Sequence, residues 1–295
     1  VALAALLRIP HLYDMHSSLP QQLTNFAFTR SRLTRRVFLA MERLMIRRSR
    51  VVIVICPSLE DTVREIDPSA RTVLIENAPG SAEDEATPEQ AAAARRGLGL
   101  TDTMPVVLYT GTFEAYQGLD LLFEAMAVVK TARPDAWLVL AGGKPDQIAR
   151  AREQARRAGV EDVTMFTGER PASEIPRFLL AADVLVSPRS RGTNTPLKIY
   201  QYLRSGKPIV ATRLLTHTQV LSDETAILTG ATPAEFAAGI LAALNDRARA
   251  TSVGERARAL AATKYSYAAY LERTRQACDA LAPPSAPGAV LKDLA

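Results

Sequence analysis

The stretch that decides the fold runs from Gly192 to Thr212, GTNTPLKIYQYLRSGKPIVAT. Its first part reads as a polar loop that opens a helix. Asn194 or Thr195 suits the cap, Pro196 suits the first turn, and Ile199, Tyr202 and Leu203 recur at helical spacing. Gly206 then stops the helix, and Ile209, Val210 and Ala211 begin a short buried strand. A helix that feeds straight into an apolar, β-branched run is the repeating half of a parallel sheet covered by helices. Lys198 and Gln201 stand about one turn apart where this helix begins.

The same pattern recurs outward along the chain. VVIVIC (51–56), RTVLIE (71–76), PVVLYTG (105–111), AWLVLAGG (136–143), DVTMFTG (162–168), ADVLVSP (182–188) and KPIVAT (207–212) are short and apolar, as strands buried on both faces are. Helical stretches lie between and after them at 58–66, 118–132, 145–158, 172–181, 232–246 and 249–263. This alternation predicts the doubly wound α/β class. A length of 295 residues predicts two such domains. Around ENAPGSAEDEATPEQ (76–90) the apolar signal lapses into Gly, Pro, Ser and acid, the composition of an interdomain linker. APPSAPGAV (282–290) reads as a disordered stretch in a flexible tail, residues 282–295.

Composition narrows the class of protein. Hydrophobic residues at 47% and charged residues at 23% describe an ordinary soluble domain protein. Cys56 and Cys278 are the only cysteines, which favours a reducing compartment over a disulfide scaffold. No apolar run reaches membrane-spanning length, and VALAALLRIPHLYDMH lacks the charged start and small-residue cleavage site of a signal peptide. The expected location is therefore cytoplasmic. Because the chain opens inside a short apolar helix without an initiator methionine, its natural beginning is expected to lie upstream of Val1.

The formal charge of +5 is concentrated in one segment. Between Arg30 and Arg50 there are eight arginines against Glu42 alone, a local balance of +7. Leu33, Val37, Leu44 and Met45 add a partial apolar stripe, so the segment reads as a basic amphipathic helix. Two readings stand side by side: a solvated charged face on a core-packed helix, or a surface that adsorbs to anionic lipid head groups. Nucleic acid is not expected as a partner, because aromatic residues are scarce among these arginines and no nucleic-acid motif occurs elsewhere.

Doubly wound folds place ligands at the carboxyl ends of their strands. Here the strand runs end in TGTFEAYQG, GGK, TGER and PRSRGTNTP. Glycines at such ends let a ligand approach the backbone, and the helix N-termini that follow attract phosphate. Lys144, Arg189, Arg191 and Lys198 nearby suit a diphosphate. No GxGxxG follows a strand, which argues against a nicotinamide or flavin dehydrogenase.

In order along the chain, YDMHS (13–17), Asn77, YTGTFEAYQGLDLLFEA, LVLAGGK, VTMFTGER, ADVLVSPRS, PLKIYQYLRSGKPIVAT and YSYAAYLERTRQACDAL resemble the landmarks of family-4 glycosyltransferases, glycosyl transferases group 1. These enzymes have two Rossmann-like domains, the GT-B fold, and move a sugar from a nucleotide-sugar to an acceptor with retention of configuration. The resemblance implies a partial acceptor-side domain over residues 1–78, joined by a returning helix at 265–281, and a nucleotide-sugar-binding domain over 79–264. It also implies donor contacts from Gly111, Thr112, Gln117, Gly142, Gly143, Lys144, Gly168, Glu169, Arg170, Arg189, Arg191, Thr193, Asn194, Thr195, Pro196, Leu197 and Gln201. Asp14 and His16 fall on the acceptor side, with His16 orienting a hydroxyl of the sugar or acceptor. The implied acceptor is a glycan, a lipid-linked sugar or a small molecule, and no metal or other cofactor is expected.

The chain departs from this pattern at charged positions. An arginine and a lysine that the family uses on the donor diphosphate align with Thr112 and Gln117, and two family glutamates align with Thr193 and Gln201. Gln201 retains an amide for ribose hydroxyls, whereas Thr193 does not replace a carboxylate. The expected compensation is Lys198, helped by Arg189 or Arg191, acting as a catalytic cation on the departing diphosphate. The alternatives are a degenerate nucleotide-sugar-binding or scaffold protein, and a nucleotide-sugar epimerase of the same two-domain shape. Glu114 and Glu169 are the only acids close to these rims, fewer than an epimerase needs. His11 and His217 receive no role.

Overall fold

In the computed structural model, residues 1–19, 31–76 and 86–282 are described, and they form parallel sheets flanked by helices. Arg30, Asn77, the middle of the expected linker and the tail beyond residue 282 lie outside them. The chain divides into two compact units, Val1–Asn77 with Ala268–Ala295, and Ala78–Tyr267.

The first unit opens with α1 (Ala2–Leu7), β1 (Leu12–Met15), α2 (Arg32–Arg48), β2 (Val51–Val54), α3 (Pro57–Ile66) and β3 (Thr72–Leu74). β1, β2 and β3 pair in parallel in that order, with Leu12 opposite Val51 and Val52 opposite Thr72. The period-two alternation of side chains divides the core. Val52 and Val54 pack with Met15, Ile46, Leu59 and Val63 on the α2 and α3 side. Val51 faces the other way, with Ile75, Ala277 and Ala280, where the final helix (Tyr267–Asp279) covers the sheet.

The second unit contains α4 (Pro88–Gly97), β4 (Val106–Thr110), α5 (Leu119–Ala132), β5 (Trp137–Ala141), α6 (Pro145–Arg157), β6 (Thr164–Gly168), α7 (Ile175–Ala181), β7 (Val184–Ser187), α8 (Lys198–Ser205), β8 (Ile209–Thr212), α9 (Leu215–Thr218), β9 (Ile227–Thr229), α10 (Pro233–Asn245) and α11 (Arg247–Lys264). α4 extends into the stretch expected to be linker, because Thr87 and Gln90 form a reciprocal capping box and Pro88 opens the first turn. All six strands are parallel, in the order β6-β5-β4-β7-β8-β9. α5, α6 and α10 cover one face through Leu122, Met126, Ala151 and Phe236. α7, α8 and α11 cover the other through Phe178, Tyr202, Leu203 and Ala257. Strand order reverses between β4 and β7: the chain builds outward from β4 to β6, then returns to β7 on β4's other side. At such a reversal open α/β sheets bind ligands, in the crevice at the strands' carboxyl ends.

Candidate functional site

β4 ends in this crevice at Thr110, and α8 grips that residue from both sides. Thr110 N and Oγ1 donate to Tyr202 Oη at 2.9 and 3.1 Å, while Lys198 Nζ donates to Thr110 O at 3.0 Å. Lys198 and Tyr202 are i and i+4 on one helix, so both reach the same strand end. Burial pushes the Tyr202 phenol up to about 12, keeping it a neutral partner. Lys198 Nζ also lies 3.7 Å from the centroid of the Tyr109 ring, whose hydroxyl donates to Thr112 O at 2.6 Å. Lys198 is 9% exposed, and burial, reinforced by the Arg189 charge, holds its ammonium well below the ordinary lysine range. No carboxylate pairs with Lys198 among the described residues. A buried cation beside a second cation is unfavourable until an anion joins them.

The loop after β7 is organised by Arg189. Its Nη1 donates to Asn194 O at 2.8 Å and Thr216 Oγ1 at 3.1 Å, and its guanidinium lies 4.9 Å from the Tyr116 ring centroid. Gly192, at φ 113°, allows the loop to fold back over the guanidinium. Arg189 thereby shapes the loop through Nη1, with its buried Nε left without a partner among the described residues, while Arg191 on the same loop is exposed. Thr193 O accepts from Gln219 Nε2 at 2.5 Å.

Neither Asn194 nor Thr195 caps α8. The helix begins at Lys198, with Leu197 at the cap position and no side-chain cap bond, because Asn194 O is drawn toward Arg189 and Thr216. The Thr195 hydroxyl is buried without a partner. Pro196 is buried and Leu197 exposed. Gln201 is half-buried and makes no side-chain hydrogen bond to a described residue.

His217, given no role from the sequence, is fully buried in α9. Its Nδ1 lies 2.8 Å from Thr212 O and its Nε2 2.8 Å from Ser187 Oγ, so Nδ1–H donates to the carbonyl and Nε2 accepts from the serine. The ring thus joins β7 to β8 beneath the Arg189 loop. Burial pulls its pKa down to about 4, the Thr212 carbonyl opposes this, and the Lys198 and Arg189 charges reinforce it. Between that value and 6.5 the unfolded chain binds the proton and the folded chain does not. Stability therefore falls as pH drops through this window, by on the order of 3 kcal/mol in total. Urea titrations from pH 7 to pH 4 are expected to show that slope, and His217→Asn to remove most of it.

The glycines at the ends of β4, β5 and β6 pack against one another. Gly111 N donates to Ala141 O and Gly142 N to Gly168 O, both at 2.9 Å. Gly142 has φ 134°, and a Cβ there would meet Gly111 O at 2.0 Å. A Cβ on Gly143 would meet the Phe113 ring at 2.5 Å. Thr112 is exposed on this rim. Gln117 sits in the turn before α5 with its Oε1 buried and unpartnered. Lys144 is exposed at the start of α6, where its N–H donates to Gln147 Oε1. Glu169 is exposed, and Arg170 lies 3.7 Å from Glu174.

In the first unit, His16 Nε2 and Asp14 Oδ2 form an exposed pair at 3.2 Å just past β1. Glu42 of α2 fixes the turn that follows, accepting from Leu19 N at 2.6 Å and Ser18 Oγ at 3.1 Å. Sequence reasoning missed Tyr109, Thr110, Tyr202 and His217 as parts of these polar centres. Only the i, i+4 spacing of Lys198 and Tyr202 carried a trace of them.

Comparison with known families decides what the two units are. The model for glycosyl transferases group 1 matches residues 90–260, and that for a glycosyl transferase 4-like domain matches residues 1–78. The chain belongs to the group 1 glycosyl transferases. Among its relatives, the GDP-mannose-dependent monoacylated alpha-(1-6)-phosphatidylinositol monomannoside mannosyltransferase of Corynebacterium glutamicum is 36% identical over 110 residues, covering 36% of this chain and 28% of the relative. The D-inositol 3-phosphate glycosyltransferase of Corynebacterium aurimucosum is 30% identical over 210 residues, covering 67% of this chain and 49% of the relative. The chain thus spans about half or less of the length of these relatives.

Two solved structures share the fold. Anabaena Alr3699/HepE in complex with UDP and glucose superposes with a TM-score of 0.76 at 20% identity, covering 94% of this chain and 73% of that one. Sucrose-phosphate synthase from Thermosynechococcus elongatus gives 0.76 at 23% identity, covering 92% and 67%. The group 1 chain is therefore an α/β protein with two Rossmann-like units.

Proposed function

We propose that the group 1 chain contributes to a glycosyltransferase that moves a hexosyl group from a nucleoside diphosphate sugar to a sugar, lipid-linked or glycoconjugate acceptor, with retention of configuration. The observation that carries this reading is Lys198: a buried cation at the strand-order switch, without a carboxylate partner, where a diphosphate supplies the missing charge. In the reaction the bond between the sugar's anomeric carbon and the diphosphate oxygen breaks. The acceptor oxygen bonds to the same face, and its proton passes to the departing phosphate. Lys198, backed by the positive end of α8, stabilises the charge on that phosphate. Arg191 reaches the same rim, and Gln201 offers its amide to the ribose. His16, oriented by Asp14, holds a hydroxyl of the sugar or acceptor. Because Lys198 supplies the charge a divalent ion supplies elsewhere, the reading assigns no metal.

Thr112, Gln117, Thr193 and Gln201, neutral where the family carries charge, favour a second reading as a nucleotide-sugar binder without turnover. The discriminating experiment supplies the protein with UDP- and GDP-linked hexoses and a lipid or glycan acceptor extract, and follows transfer, donor hydrolysis and nucleotide binding together. Transfer of sugar to the acceptor is expected. Nucleotide binding with neither transfer nor hydrolysis would establish the binder reading, and absence of all three would overturn both.

A further inference from the structure

α2 presents two different faces. Its inner face is anchored: Ile46 packs with Met15, Val52 and Val54, and Glu42 is buried on the Ser18–Leu19 turn. Its outer face carries Leu33, Val37, Met41 and Leu44, 71%, 48%, 48% and 50% exposed, at spacings of four, four and three along one stripe. Met45, expected in that stripe, is turned half into the core, and Met41 takes its place. Arg36, Arg43 and Arg47 flank the stripe on one side, and Arg48 continues it one turn beyond Leu44. None of them forms an ion pair among the described residues; Arg47 donates to the Ile66 carbonyl at 3.4 Å. Arg50 does not belong to this surface, because its guanidinium donates to Ala280 O and Ala282 O. The helix's one acid, Glu42, is buried on the opposite side, so the outer face is wholly cationic and apolar.

We propose that this face docks on an anionic lipid bilayer, with α2 lying flat in the head-group layer. The occupant follows from charge and shape together. An apolar stripe bordered by arginines matches an interface that is apolar below and anionic above: the leucines enter the acyl boundary while the arginine stems extend along it to the phosphates. A nucleic-acid backbone would meet the arginines but strand the apolar stripe against phosphate, and α2 has no exposed aromatic residue on which bases could stack. Each arginine near an anionic surface strengthens partitioning roughly fivefold. The anchored inner face keeps the helix in one orientation, so docking requires no unfolding. This proposal is independent of the transfer reading.

The test is co-sedimentation of the whole chain with phosphatidylglycerol–phosphatidylcholine vesicles and with phosphatidylcholine vesicles, at low and high salt. Binding to the anionic vesicles at low salt is expected, with loss on raising the salt. Arg43→Glu combined with Arg47→Glu should weaken partitioning at least tenfold. Both side chains are exposed, so circular dichroism and melting should match the wild type. As a second measurement, Leu44→Trp should show a blue-shifted indole emission with anionic vesicles alone. Equal binding to both vesicle types, undiminished binding of the charge-reversed variant, or an unshifted emission from the Leu44→Trp variant would overturn the proposal. So would a concentration-dependent dimer that these substitutions abolish without any vesicle binding, which would make the face a contact between copies.

Discussion

Lys198→Met is expected to lower sugar transfer by about 10²- to 10³-fold, the loss typical of removing one preorganised group from a developing anion, while leaving the melting temperature within a few degrees of wild type. The two effects separate because Lys198 is a buried cation without an acidic partner. Methionine fills similar space and removes the desolvation penalty, offsetting the lost bond to Thr110 O. A residue retained only for packing would give the opposite pattern, a large fall in melting temperature with activity tracking the folded fraction. Nucleotide binding should also weaken as pH rises. Burial holds the amine's pKa low in the free protein, and a bound diphosphate favours the ammonium, so binding takes up a proton that becomes scarcer toward alkaline pH. Calorimetry with UDP and GDP on both proteins would show this slope in the wild type and remove it in Lys198→Met. An unchanged affinity in the variant would end the assignment of Lys198 to the diphosphate.

Gly142→Ala is expected to destabilise the second unit by about 3–5 kcal/mol, from backbone strain combined with overpacking. Its φ of 134° lies outside the range of an L side chain, and its Cβ would sit 2.0 Å from Gly111 O, a backbone atom fixed by Gly111 N donating to Ala141 O. The clash spans the ends of β4 and β5, so relief moves the rim that bears Thr112 and Phe113. Gly159→Ala is the control: it too has a positive φ, 72°, but nothing lies within 4 Å of its Cβ, so strain acts alone. Chemical denaturation of both variants checks the difference, and equal losses would show that the close approach at Gly142 contributes nothing.

Much of the fold was legible because strands and helices are local patterns. The apolar runs at 105–111, 136–143 and 182–188 became β4, β5 and β7, since a strand buried on both faces must be apolar at every position. β9 was missed: Ile227–Thr229 is a three-residue edge strand, too short to set up a periodicity. The start of α8 was misread for a different reason. Asn194 and Thr195 have cap chemistry, yet Asn194 O is held by Arg189 and by Thr216, and Thr216 is 22 residues away. In the same way, no local pattern shows that Arg189 anchors its own loop through Asn194 O and Thr216 Oγ1.

By itself the sequence determined the α/β alternation, the presence of two units, the position of Lys198 at a helix opening, and the charge of α2. Tertiary structure decided the rest. The reversal of strand order between β4 and β7 exists only once the sheet has assembled, and it converts Lys198 from a lysine after a loop into a buried cation at a crevice. The bonds that hold it there, to Thr110 from Lys198 and Tyr202, span 88 and 92 residues. Parallel pairing brings such residues together through crossovers, and no local propensity records which strand end a given side chain will meet.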